Sequence, residues 1–226
     1  MIPLTRPNLV VPVVPSLVPN WIPAGCRVWY GMQEGAGPGL SDLSGNGVDG
    51  VISGASWEAG PGEGWVLSFD GADDYVTLSP VIAAGGKTFE FWIKPGVVTW
   101  GYLSDVANGR LLIRFDTGYS GKMSLSNAGT AYVFTTVLQV GLWYHLVLSI
   151  IVGETPVLYV NGIAETAAGA SASTAVGGAV VLGAYCVDPL TNEYTGKMGL
   201  FRLFDRGLSA VEAGVLFAHD RARYGI

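Results

Sequence analysis

Residues 88–94 (TFEFWIK) constrain the fold more than any other stretch of the chain. Their period of two sets Phe89, Phe91 and Ile93 on one face and Thr88, Glu90, Trp92 and Lys94 on the other, the signature of a strand rather than a helix. Residues 111–115, 132–137, 179–182 and 199–204 read as further β-like runs. Residues 143–151 (WYHLVLSII) are apolar on both faces, as a central strand covered on both sides should be. Residues 157–160, then Asn161-Gly162 and Ile163, predict a strand entering a type I′ hairpin turn, because both turn positions need positive φ. Loops rich in the chain's 33 glycines separate these runs. One helix is predicted near the C-terminus, where Ser209 and Glu212 form a capping box ahead of Val215, Leu216 and Phe217. Many short strands with one terminal helix mean an all-β, two-sheet antiparallel sandwich or jelly roll.

A separate segment precedes the strands. Prolines at positions 3, 7, 12, 15, 19 and 23 alternate with Val and Leu, which excludes helix and predicts an extended or polyproline-II arm over residues 1–24. The apolar ridge Val11, Pro12, Val14, Pro15, Leu17, Val18 and Trp21 closes no core of its own, so something must bury it. Either its own domain or a neighbouring subunit would serve; the second is the expected partner-binding role.

Composition narrows the partners. With 12 Lys+Arg and a net charge of -6 the chain cannot neutralise many phosphates, and no nucleic-acid partner is expected. No apolar run approaches the ~18 residues of a membrane-spanning helix, so no membrane partner is expected either. Charged residues are 13% of the chain against about a quarter in ordinary soluble domains, which predicts a homo-oligomer or assembly that hides part of the surface. Cys26 and Cys186 carry no zinc spacing; two free thiols or one long-range disulfide both fit. Residues 1–19 lack a continuous apolar h-region and a cleavage site, so they do not read as a signal peptide.

Several motifs carry a resemblance. Val28-Trp29-Tyr30 with Gln33-Glu34-Gly35-Ala36-Gly37, the loop from Asp42 to Gly50 (DLSGNGVDG), Leu67 to Val76 (LSFDGADDYV), Phe89 to Pro95 (FEFWIKP), Trp143 to Val147 (WYHLV), Leu158 to Gly162 (LYVNG), and the closing strand and helix from Thr195 to Glu212 follow one another in order. Together they resemble the laminin G-like branch of the concanavalin A-like jelly rolls. The resemblance implies one such domain over residues 25–226, with the arm of residues 1–24 outside it. It also implies a scaffold used for sugar binding, adhesion, hydrolase accessories and virion proteins alike, so the fold alone does not settle function.

The candidate sites follow. The resemblance implies a structural calcium near the Asp42–Gly50 loop, with Asp42 and Asn46 as ligands and Asp49 or Asp70 nearby. Gly199-Leu200 stands where the family's closing strand brings an acid, which removes one ligand; the competing reading is that Asp42 and Asn46 only cap a tight turn, and no other cofactor is expected. Glycoside hydrolysis needs two carboxylates about 5–9 Å apart. Glu90 is the one acid in its strand, and no enzyme activity is expected. His145 reads as a satisfied structural histidine, and His219 has no Ser or Cys partner. Asp73-Asp74 reads as a turn. Glycan recognition would use exposed rings, with Trp100, Tyr102 and Tyr119 as the candidates and Tyr132 and Tyr185 beside them. Arg202, Arg206, Arg221 and Arg223 form a basic group expected to pair with acids of a partner subunit, to complement the helix C-terminus, or to lie on a solvated face. Two functional readings result: a non-enzymatic structural virion protein of bacteriophage type (capsid decoration, minor capsid or tail component) attached through its arm, or a carbohydrate-binding or adhesive module.

Overall fold

Alternating burial along short strands builds two facing sheets. The computed structural model describes residues 21–62, 64–79, 85–99, 101–106, 111–116, 121–127, 130–167, 178–185 and 193–226. In chain order the strands are β1 (Cys26–Tyr30), β2 (Gly39–Leu40), β3 (Gly50–Ser53), β4 (Ser56–Ala59), β5 (Trp65–Asp70), β6 (Tyr75–Leu78), β7 (Lys87–Pro95) and β8 (Gly101–Val106). They continue with β9 (Leu111–Asp116), β10 (Lys122–Asn127), β11 (Thr130–Val137), β12 (Tyr144–Ile150), β13 (Val157–Val160), β14 (Ile163–Thr166), β15 (Val180–Leu182) and β16 (Thr195–Phe204), before the helix α1 (Ala210–Tyr224). The first sheet runs β14-β13-β12-β7-β16-β5-β4, with β1 paired to β16; the second runs β11-β10-β9-β8-β15-β6-β3-β2. Every pairing among the described residues is antiparallel. This is the all-β sandwich with one C-terminal helix that the strand pattern predicts.

The core lies between the sheets. Phe89, Phe91 and Ile93 of β7 meet Leu103, Ile113, Phe115, Leu125 and Phe134 of the second sheet, as the period-two reading requires. The other face of β7 and β12 is buried too, because α1 lies across the first sheet. Val147 and Tyr159 pack on Ala213, and Trp92 and Leu200 pack on Tyr224. That cover explains why β12 is apolar on both sides.

Turn and cap chemistry hold as read. Asn161 and Gly162 have φ of 51° and 80°, closing the β13–β14 hairpin with Val160 opposite Ile163. Ser209 accepts from the Glu212 backbone while the Glu212 carboxylate accepts from the Ser209 backbone, and Gly225 ends the helix in the left-handed region.

Gly199 serves packing. The register of β16 slips between Met198 and Phe201. A Cβ on Gly199 would collide with the Tyr224 phenol, whose oxygen accepts from the Leu200 amide at 2.8 Å. The position that the resemblance assigns to a metal ligand is therefore occupied by the end of α1.

The chain is already on the sandwich at Trp21, four residues ahead of the expected boundary at Gly25. Ile22 is buried with Phe204, Leu208 and Leu216, and Arg206 Nε donates to the Ala24 carbonyl at 2.9 Å. Val11, Pro12, Val14, Pro15, Leu17 and Val18 lie outside the described residues.

Candidate functional site

Where α1 meets the first sheet, the sequence buries charge. Glu90 of β7 stands directly opposite Arg202 of β16, and Arg202 opposite Trp29 of β1, so the three form one row across the sheet. Arg202 Nη1 donates to Glu90 Oε1 at 2.8 Å and to Asp220 Oδ2 of the helix at 2.9 Å. His145 Nε2 completes the set 3.0 Å from Glu90 Oε1, so the histidine is buried in the fold as expected, but it is only half satisfied, since its Nδ1 is buried with no hydrogen-bond partner. Burial alone would raise the Glu90 carboxyl, but the Arg202 guanidinium and the His145 contact outweigh it and hold that carboxyl below the ordinary range. The guanidinium lies 5.0 Å from the Trp21 ring and 4.9 Å from the Trp29 ring, whose π faces offer a cation partner where water is excluded.

Two expectations change here. Arg202 is fully buried rather than part of a solvated or partner-facing group, because two carboxylates and two indoles enclose it. Trp21, expected to contact a partner, stacks on His219 of the same chain with ring centroids 3.4 Å apart. The indole completes the wall around a guanidinium that would otherwise face solvent on one side.

A cleft of about 470 Å³ opens beside this network. Trp21, Trp29 and Leu43 give it apolar surface, while Gln33, His219 and Arg223 bring polar groups to it, with the buried Leu200 and Asp220 also facing it. Arg223 Nη2 is fixed by the carbonyls of Met32 and Trp65, each at 3.3 Å. With the Gln33 amide assigned from its surroundings, so that an acceptor faces the donors, its oxygen accepts from Arg223 Nη2 at 3.2 Å. Apolar surface next to converging donors and acceptors is the ordinary composition of a small-ligand site.

The expected calcium loop is built differently. Asp42 Oδ1 accepts from the amides of Trp29 (3.0 Å) and Ser44 (2.9 Å), and Oδ2 accepts from the Val48 amide (3.0 Å) and the Ser44 hydroxyl (2.8 Å). Asn46 Nδ2 donates to the Cys26 carbonyl at 3.1 Å, and Asp49 Oδ1 accepts from the Asp42 amide at 2.9 Å. These groups tie β1 to the loop, and the turn-capping reading is the one the geometry supports. Asp70, Asp73 and Asp74 do come together, yet Asp74 Oδ2 accepts from the Asp70 amide at 2.7 Å and Asp70 Oδ1 from the Ala72 amide at 2.8 Å, as carboxylates organising a turn do.

Of the aromatic candidates, Tyr102 is buried, with its oxygen accepting from Arg114 Nη1 at 2.8 Å and its ring stacked on Tyr185 at 5.1 Å. Its ring face is taken by protein, and Tyr132 is buried as well. Trp100, Tyr119 and Cys186 lie outside the described residues. The sequence reading did not gather Trp29, Gln33, His219 and Arg223 into one site. The available signal was the alternation of β1, which turns Trp29 away from the core residues Val28 and Tyr30.

Comparison with known proteins places the fold. Residues 70–213 match the model of a family described as the concanavalin A-like lectin/glucanases superfamily. No curated protein sequence matches significantly. Among solved structures, the chain is similar to domain 4 of AbnA, a GH43 extracellular arabinanase from Geobacillus stearothermophilus in complex with arabinotriose, at 17% identity and a TM-score of 0.66, over 84% of this chain and 97% of that one. It is also similar to Trypanosoma rangeli sialidase in complex with sialic acid, at 16% identity and TM-score 0.69, over 91% of this chain and 34% of the sialidase. The binding domain of botulinum neurotoxin DC in complex with SialylT is similar at 10% identity and TM-score 0.64, over 87% of this chain and 52% of that one. At these identities the likeness concerns the fold, and this chain spans only about a third of the sialidase and half of the toxin domain. The family model covers well over half of the sequence, and this chain belongs to the concanavalin A-like lectin/glucanases superfamily.

Proposed function

We propose that this chain is a non-catalytic carbohydrate-binding module that receives a saccharide in the cleft beside Trp21 and Trp29. The observation that carries this reading is the cleft itself, where indole surface meets the side chains of Gln33, His219 and Arg223. Sugars present apolar ring faces and hydroxyl edges, so a site for them needs both kinds of wall. The solved neighbours bound to arabinotriose and sialic acid support the ligand class. The non-catalytic part rests on Glu90 and Asp220, which share one guanidinium and are buried, whereas hydrolysis needs carboxylates flanking an accessible bond.

A glycan array with the full chain, followed by calorimetric titration of the best ligand, tests the reading. Gln33→Ala removes an exposed side chain without touching the core. It should weaken binding by about tenfold, near the top of what one net hydrogen bond contributes, with an unchanged melting temperature. Absence of any competable glycan, or full affinity in Gln33→Ala, would overturn it.

The second reading is a structural component, of virion type, held through residues 1–20. It is favoured by the Pro/Val ridge in the sequence of those residues together with the anchoring of Trp21 and Ile22 on the sandwich. Deleting residues 1–20 should abolish incorporation into the native assembly; wild-type occupancy of the truncated chain would exclude it.

A further inference from the structure

On the first sheet, Lys94 of β7 and Lys197 of β16 face each other directly across the ladder. Their neighbours Ile93 and Met198 point into the core, so both lysine stems rise from the same outer face. Like charges placed directly opposite weaken a strand pair unless something negative answers them. Glu58 answers Lys197, and that hydrogen bond chiefly holds the Glu58 carboxyl below its ordinary range. Lys94 has no ion-pair or hydrogen-bond partner among the described residues.

Both lysines line two hollows, of about 280 and 210 Å³. Trp143 and Pro61 wall the smaller one, and Trp143 is held by Tyr224 at a ring-centroid distance of 4.8 Å. Phe69 and Val140 border the larger one. The arrangement is an under-neutralised ammonium pair beside an anchored indole, and it uses none of the residues that line the Trp21–Trp29 cleft.

We propose that Lys94 and Lys197 form a second site, for an acidic saccharide, with the sugar carboxylate between the two ammonium groups and an apolar ring face against Trp143. A carboxylate there relieves the like-charge opposition that Glu58 answers on one side only. The ligand class rests on the carbohydrate-binding reading; the geometry does not.

The test titrates the full chain with an oligogalacturonate, a neutral galactose oligomer of equal length and a sulfated oligosaccharide, following Trp fluorescence and calorimetry. The expected result is binding of the oligogalacturonate at least tenfold tighter than of the neutral oligomer, weakening as salt rises. Lys94→Gln should remove that preference while leaving the melting temperature and the effect of Gln33→Ala on neutral ligands unchanged. Glu58→Gln, which removes the competing carboxylate, should strengthen it. Equal affinity of the wild type for acidic and neutral oligomers, undiminished acidic binding in Lys94→Gln, or preference for the sulfated ligand would each overturn the assignment. Neutral ligand bound through the cleft with a silent Lys94 would leave the first site standing and remove only this one.

Discussion

Arg202 shows how much one side chain can decide. It bridges Glu90 and Asp220 where all three side chains are buried, and the cost of burying these charges is offset only while they remain paired. Arg202→Met should therefore cost about 3–5 kcal/mol in urea denaturation, because it strands a buried carboxylate. Adding Glu90→Gln to that variant should restore a good part of the loss. The sign of the pH effect follows from Glu90, whose carboxyl is held low in the folded state. Its contribution is full above the ordinary carboxylate pKa of about 4.3 and is lost as pH falls through the lower folded value. Asp42 is the second decisive residue. Asp42→Asn leaves one oxygen where four donors converge and should lower stability by about 1.5–3 kcal/mol, with a melting temperature indifferent to calcium or chelator in the parent chain. At this scale the sequence was least informative. Arg202 and the surface arginines look alike in a string of letters; only the pairing of Trp29, Arg202 and Glu90 in one row separates them.

Among the elements, α1 was the most readable, because its start is encoded within four residues. Glu212 carries the capping box and also binds Arg206, and the Arg206 hydrogen bond is the largest influence holding its pKa down to about 2. Stability from this group is present above the ordinary carboxylate pKa and fades as pH drops from there toward 2. Glu212→Gln should flatten that part of the acid unfolding curve while keeping the capping box, whereas Ser209→Ala, which removes the cap itself, should cost on the order of 1 kcal/mol at neutral pH. The β13–β14 turn was equally plain, since Asn161-Gly162 has few alternatives. Gly162→Ala forces a positive φ on alanine and brings its Cβ to 3.1 Å from Phe217, so it should destabilise by roughly 1 kcal/mol or more in the same assay. By contrast, the bulge at Gly199 was not readable as packing. Its reason lies in Tyr224, which only the folded helix brings to that spot.

At the level of the whole molecule, the two sheets were legible and the binding surface was not. Alternation and turn chemistry are local signals, so TFEFWIK and LYVNG announce strands without any partner. The cleft joins Trp21, Trp29 and Gln33 to His219 and Arg223, groups from opposite ends of the chain, and its existence depends on β1 pairing with β16. The sequence candidates Tyr102 and Tyr132 are buried for the same reason, since strand packing decides which aromatics reach the surface. Removing residues 1–20 should leave the melting temperature within a few degrees, since Trp21 and Ile22 make the first contacts with the sandwich among the described residues.

The placement of β16 has a consequence for biogenesis. This strand, the last in chain order among the described residues, slots between β7 and β5 and also carries β1. A nascent chain stalled on the ribosome before that point holds two incomplete half-sheets with open edges, an invitation to sticking between neighbours. Closure of the first sheet therefore waits for β16, and is slow by the standard of proteins whose contacts are mostly local.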